Sequence, residues 1–169
     1  MQLSQTSGRP SPALSAETRA PLGQARQAVD FLDDSLNLYL HLNDVSSIPI
    51  LYMETGMAYQ TLGNYSEAGV SYEKALQPWK SKGDLLWQAI LLNNLAILHQ
   101  AYGEYEKAAV AFEDGLICAQ RSGSTRMQAL ISTGLGDLYT ELEDFGVAQS
   151  NYRHGEEIAR RIDDRFLIF

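Results

Sequence analysis

Between Leu92 and Leu116 the apolar residues fall into two sets, each at helical spacing. Leu92, Leu95, Leu98, His99 and Tyr102 recur at three- and four-residue intervals on one face. Past Gly103-Glu104, a second set follows at Tyr105, Ala108, Phe112 and Leu116. The pattern predicts two amphipathic helices joined by a tight reversal at Gly103, a place for a left-handed residue. Ser122-Gly123-Ser124 then ends the second helix with a glycine and opens the next with an N-capping serine, as Lys82-Gly83-Asp84 does one period earlier.

This hairpin repeats. Gly63-Asn64-Tyr65-Ser66-Glu67-Ala68 returns as Gly103-Glu104-Tyr105-Glu106-Lys107-Ala108 and as Glu143-Asp144-Phe145-Gly146-Val147-Ala148, 40 residues apart each time. The same offset carries Tyr72 to Phe112 to Tyr152, Tyr59 to His99 to Tyr139, and Leu76 to Leu116. Upstream it reaches Leu22-Gly23, Ala28, Leu36 and Asp44. The fold class expected is all-α, a superhelix of antiparallel helical hairpins forming an α-solenoid. Residues 1–12, rich in Pro, Gly, Ser and Thr, read as a disordered segment. The repeat domain spans 13–169: a partial repeat at 13–44, repeats at 45–84, 85–124 and 125–164, and the start of another at 165–169. Ala13 to Ala20 is expected as a short helix ending before Pro21. Pro78 is expected to kink or shorten its helix. With Glu143 at the turn-glycine position, Gly155 in place of Ala75 and Glu156 in place of Leu76, the third repeat is expected to pack most loosely.

These residues resemble the tetratricopeptide repeat pattern of a large residue, Leu-Gly, Tyr, Gly-x-Tyr, Ala, Phe or Tyr, and Ala-Leu. The first repeat matches it at Tyr52, Gly56, Tyr59, Gly63, Tyr65, Ala68, Tyr72, Ala75 and Leu76. The second matches at Leu92, Leu95, Ala96, Gly103, Tyr105, Ala108, Phe112 and Leu116, and the third at Leu135, Gly136, Tyr139, Phe145, Ala148 and Tyr152. The 40-residue period resembles the long-helix subclass of bacterial activators of the maltose-regulator type and of signalling ATPases. It is also similar to kinesin light chains and to adaptors that orient the mitotic spindle. The resemblance implies a protein-interaction scaffold, with the first helix of each repeat lining a concave groove that takes a protein or peptide.

Carried over by register, the groove residues are Ile50, Met53, Met57, Gln60 and Thr61, then Ile90, Asn93, Ile97, Gln100 and Ala101, then Leu130, Thr133, Asp137, Thr140 and Glu141. That surface is half apolar, with amides and hydroxyls suited to a peptide backbone and with charge only at its Asp137–Glu141 end. Ordinary solvated helix faces are the alternative. Family members that grip acidic chaperone tails use a clamp of lysine, asparagine and arginine. The corresponding positions here are Met53, Met57, Asn94, Leu130 and Gly134, so only Asn94 fits and that partner is argued against.

Composition narrows the partners further. The net charge of -8, from 21 acidic and 13 basic residues, comes with no basic stripe. That argues against direct nucleic-acid binding and against an anionic membrane, and leaves basic or neutral partners the better fit. With no signal-peptide pattern or membrane-length apolar run, a cytoplasmic location is expected.

No enzymatic or cofactor chemistry is indicated. His41, His99 and His154 are far apart with no metal-ligand spacing, and Cys118 is the single cysteine. The carboxylate pairs Asp33-Asp34, Glu156-Glu157 and Asp163-Asp164 are adjacent residues, which point about 100° apart on a helix. Trp79 and Trp87 flank the turn at Gly83 and are expected to anchor it. Phe166, Leu167, Ile168 and Phe169 form an apolar C-terminal edge where a solenoid normally presents a polar cap. Two expectations stand for that edge: a longer array continues from it, or a second copy packs on it as a homo-oligomer. A peptide-sensing regulatory domain of a bacterial regulator is a further functional alternative to the scaffold.

Overall fold

A computed structural model describes residues 16–42 and 46–161. Within them the chain forms α1 (Ala16–His41), α2 (Ile48–Thr61), α3 (Tyr65–Lys82), α4 (Leu85–Ala101), α5 (Tyr105–Ser122), α6 (Thr125–Glu141) and α7 (Phe145–Arg161). Helices α2/α3, α4/α5 and α6/α7 pack as hairpins, α1 packs on α2, and α4 also touches α6 across the repeat boundary. The second helices begin 40 residues apart, at Tyr65, Tyr105 and Phe145, so the repeat seen in the sequence is the repeat of the structure. The architecture is an all-α solenoid. The expected segment at 1–12 and the edge at 166–169 lie outside the described residues.

Capping chemistry sets the helix ends. The Asp84 carboxylate accepts the Trp87 N–H at 3.2 Å and the Ser124 hydroxyl accepts the Met127 N–H at 3.4 Å, each satisfying an orphan donor of a first turn. Gly83 and Gly123 close the preceding helices in the left-handed region at φ 69° and 74°. Helix α2 starts at Ile48, later in the register than α4 and α6. Pro49 explains this, because its missing N–H is harmless only in a first turn.

The core runs along the hairpins as small-against-large pairs. Ala68 and Tyr72, and Ala108 and Phe112, are wholly buried. The Tyr72 ring lies 2.6 Å from where a Cβ on Gly56 would stand, and the Tyr152 ring 2.5 Å from the same point on Gly136. Those glycines let an aromatic side chain press directly on the facing helix backbone. In the middle repeat the equivalent position is Ala96. There the Phe112 ring instead presses on Gly134 of the next repeat, 2.6 Å from a Cβ position. One ring therefore joins two repeats. Trp79 and Trp87 stack at 5.2 Å and 13° across the Gly83 turn, the anchoring role expected of them.

Two expectations are corrected, and a third holds at part of its repeat. No helix ends before Pro21: α1 is a single helix that runs through Pro21 and Gly23, held downstream by Ala25, Val29 and Leu32 buried against α2. Pro78 does not shorten α3, which continues to Lys82 and is as long as α5. Losing the single bond that the residue-78 N–H would donate to the Lys74 carbonyl is offset by burying Leu76 and Trp79 on either side of it. The third repeat is the more open at its aromatic positions, where Phe145 is exposed and Tyr152 is 37% exposed while Tyr72 and Phe112 are wholly buried. At Gly155 the helices are close, because a Cβ there would stand 3.1 Å from the Ala129 carbonyl oxygen and the Thr133 Oγ1.

Candidate functional site

Among the described residues a concavity lies between the first helices α4 and α6, with α7 closing one end. It is a cleft of about 690 Å³ lined by Asn93, Ile97, Gln100 and Ala101 from α4, by Leu130, Thr133, Gly134, Asp137, Thr140 and Glu141 from α6, and by Tyr152 from α7. Helical spacing produces this lining. Asn93, Ile97 and Gln100 fall on one stripe of α4, and the same stripe 40 residues on gives Thr133, Asp137 and Thr140. A smaller lobe of about 410 Å³ continues past Thr133, Asp137 and Tyr152 to Glu156.

The polar groups of the cleft are tied into short networks. Gln100 Nε2 donates to Glu141 Oε1 at 2.9 Å, linking neighbouring repeats. Tyr152 donates its phenol proton to Asp137 Oδ1 at 2.7 Å, and the Thr140 hydroxyl lies 3.3 Å from the same phenol oxygen. The Thr140 contact lowers the Tyr152 pKa, but burial and the Asp137 bond and charge outweigh it and leave the phenol above its ordinary value. Tyr152 therefore stays a neutral donor to Asp137 at physiological pH.

The structure thus brings together the sequence-derived residues Asn93, Ile97, Gln100, Thr133, Asp137, Thr140 and Glu141. It does not bring Met53, Met57 and Gln60 into the same cleft. Met53 packs half-buried on the core cluster around Tyr72, Met57 is exposed, and the Gln60 side-chain Oε1 accepts the Tyr72 hydroxyl at 2.7 Å. Burial pushes the Tyr72 phenol up to about 12, so that bond holds across the physiological range. Tyr152 and, in the smaller lobe, Glu156 line the cleft without being expected groove positions, and Gly134, a clamp position by register, lines it too. Tyr152 shares its register with Tyr72 and Phe112, two wholly buried rings, so the pattern alone marks it as core. No described helix lies beyond α7.

Among the described residues outside the cleft, polar side chains form local networks. His99 Nδ1 lies 2.7 Å from Glu104 Oε2, and Lys107 donates to Glu104 Oε1 at 2.8 Å, forming a network at the α4–α5 turn. Cys118 is half-buried, and burial raises its thiol pKa, with the Asp114 charge adding to the effect. Among the described residues no group of His, Cys, Asp and Glu is arranged to hold a metal ion, and no helix is long and apolar enough to cross a membrane.

A helical-repeat solenoid with a ligand-sized cleft on its first helices defines the class. The profile of the Tetratricopeptide repeat family matches residues 47–120, which supports that family for the repeats from α2 to α5. No curated protein matches the chain. Among solved structures the chain is similar to BtubC (BKLC) from P. vanneervenii, with a TM-score of 0.64 and 21% identity over 88% of this chain. That alignment covers 59% of the other chain, and the likeness shows a shared fold. Tetratricopeptide repeats are in general protein–protein interaction modules, and helical-repeat folds of this kind are in general non-catalytic scaffolds.

Proposed function

We propose that this chain is an interaction scaffold that holds an extended segment of a partner protein in the cleft between α4, α6 and α7, within a cytoplasmic signalling or regulatory assembly. The observation that carries the reading is the cleft's composition. Its volume of about 690 Å³ lies in the range of specific ligand sites, about 300–1,000 Å³. Amide, hydroxyl and carboxylate groups stand beside the apolar side chains of Ile97 and Leu130, a mixture that suits a peptide backbone with alternating side chains. The 40-residue spacing fits the long-repeat branch of the family. Affinity capture from native lysate with mass spectrometry tests this, comparing wild type with the triple variant Asn93→Ala, Gln100→Ala, Asp137→Arg. A partner recovered by wild type and lost by the variant is the expected result. Identical recovery by both would remove the cleft from the interface.

A second reading, a peptide sensor, rests on the Gln100–Glu141 bond, which spans two repeats inside the cleft. A ligand that takes the Gln100 amide would release that tie and alter the angle between repeats. Small-angle scattering that stays unchanged on peptide binding would sink the sensor while leaving the scaffold intact.

A further inference from the structure

The charge in the cleft is all of one sign. Its two lobes are lined by Asp137, Glu141 and Glu156, and no lysine, arginine or histidine is among the lining residues. The carboxylates differ in what they already hold. Glu141 accepts the neutral Gln100 amide, Asp137 accepts the neutral Tyr152 phenol, and Glu156 accepts Arg160 Nη2 at 2.6 Å from outside the lobes. At Asp137 and Glu141 these protein partners are neutral, so their charge is left uncompensated.

An apolar bed lies beside that charge. Ile97 is 40% exposed, and Tyr152, 37% exposed, stands with its oxygen on Asp137. An aromatic ring tied to a carboxylate at the junction of two lobes is the chemistry that recognises a guanidinium. The ring face attracts the cation, and the carboxylate accepts its forked N–H donors. Asn93, Gln100, Thr133 and Thr140 lie along the same cleft and offer hydrogen bonds to a peptide main chain. The net charge of -8 adds a long-range attraction for a basic ligand.

We infer that the cleft selects a peptide segment carrying an arginine next to an aliphatic residue. The guanidinium sits at Asp137 and Tyr152 toward Glu156, and the aliphatic side chain lies on Ile97 and Leu130. This rests on the scaffold reading above and names its partner by chemistry.

The test is selection of a random heptapeptide display library on the full chain, followed by titration of the synthesised winners. The expected winners contain arginine beside Leu, Ile or Val. Replacing that arginine with citrulline, which keeps the shape and removes the charge, should weaken binding about fivefold or more. Asp137→Asn should do the same while keeping an acceptor for Tyr152, and Asp137→Lys should turn selection toward acidic peptides. Winners without a basic residue that are still lost on Asn93→Ala/Gln100→Ala overturn this inference and leave the scaffold reading standing. Winners indifferent to every cleft substitution, or no winners at all, overturn both.

Discussion

Phe112 and Tyr152 occupy the same register position in successive repeats, yet one is core and the other faces an open cleft. Phe112 is wholly buried, pressed on Gly134 of the following repeat, with no hydroxyl to place. Tyr152 presses on Gly136 of its own repeat, is 37% exposed, and turns its phenol to Asp137. The difference comes from the neighbours: a described repeat covers Phe112 and none covers Tyr152. In a solenoid a position's role is thus decided by the next unit along as much as by its own residue.

The sharpest way to break that comparison is to truncate both rings. Phe112→Ala should cost about 3–5 kcal/mol, because it empties a fully buried site shared by two repeats. Tyr152→Ala should cost less than half as much, since its ring already meets solvent. Equal shifts in urea midpoint would mean that the two positions carry the same packing. Next in size are the facing glycines. Gly134→Ala puts a Cβ 2.6 Å from a buried Phe112 ring, which has no room to retreat, and should destabilise by about 1–3 kcal/mol. Gly136→Ala meets the Tyr152 ring, which can tilt outward, and should be milder. Thermal melts of the two variants would rank them, and the reverse order would argue that Tyr152 is the more firmly held.

A third contrast lies in the turns. Gly63 and Gly103 take φ of 76° and 73°, and Glu143 is forced to 60° at the same place, closed by the same bond from the following N–H to the residue-59, -99 or -139 carbonyl. A side chain in the left-handed region costs roughly 1–2 kcal/mol. Glu143→Gly should recover about 1 kcal/mol, less than that strain because glycine frees the unfolded chain. Gly103→Glu should lose a similar amount. A Glu143→Gly variant that melts no higher than wild type would show that the third turn carries no strain.

The fold was legible because this register never slips. The turn glycines, the caps Asp84 and Ser124, and the Ala–aromatic pairs all recur at one offset, so local and long-range signals agree. Where the reading failed, the local signal was real and packing overrode it. Pro21 and Pro78 do weaken helices, but buried residues beside them hold α1 and α3 continuous. The cleft was legible in its α4 and α6 half, because a stripe at fixed spacing stays on one face. Its α7 wall was not, because Tyr152 shares a pattern with two core rings and only the three-dimensional arrangement separates them.

The smallest expected effect concerns the same two repeats at their first-to-second-helix turns. Asp144 caps α7 by accepting the Val147 N–H at 3.2 Å, whereas its register mate Glu104 makes no such cap. Glu104 instead binds Lys107 and His99, and those hydrogen bonds, Lys107 first, hold its pKa below the ordinary 4.5 against a minor opposing desolvation. A carboxylate with a depressed folded-state pKa binds fewer protons than in the unfolded chain. Its contribution to stability is therefore complete above pH 4.5 and fades as pH falls through the lowered value. The group is solvent-exposed, so the effect is small and salt-sensitive. Carboxyl-carbon NMR titration should place Glu104 below the ordinary 4.5. Lys107→Ala should move it upward, toward the ordinary value. If Glu104 titrates at the ordinary value in the wild type, the network at the middle turn is not formed in solution. The repeats at 85–124 and 125–161 would then differ at their turns in the Asp144 cap and in the left-handed backbone at Glu143.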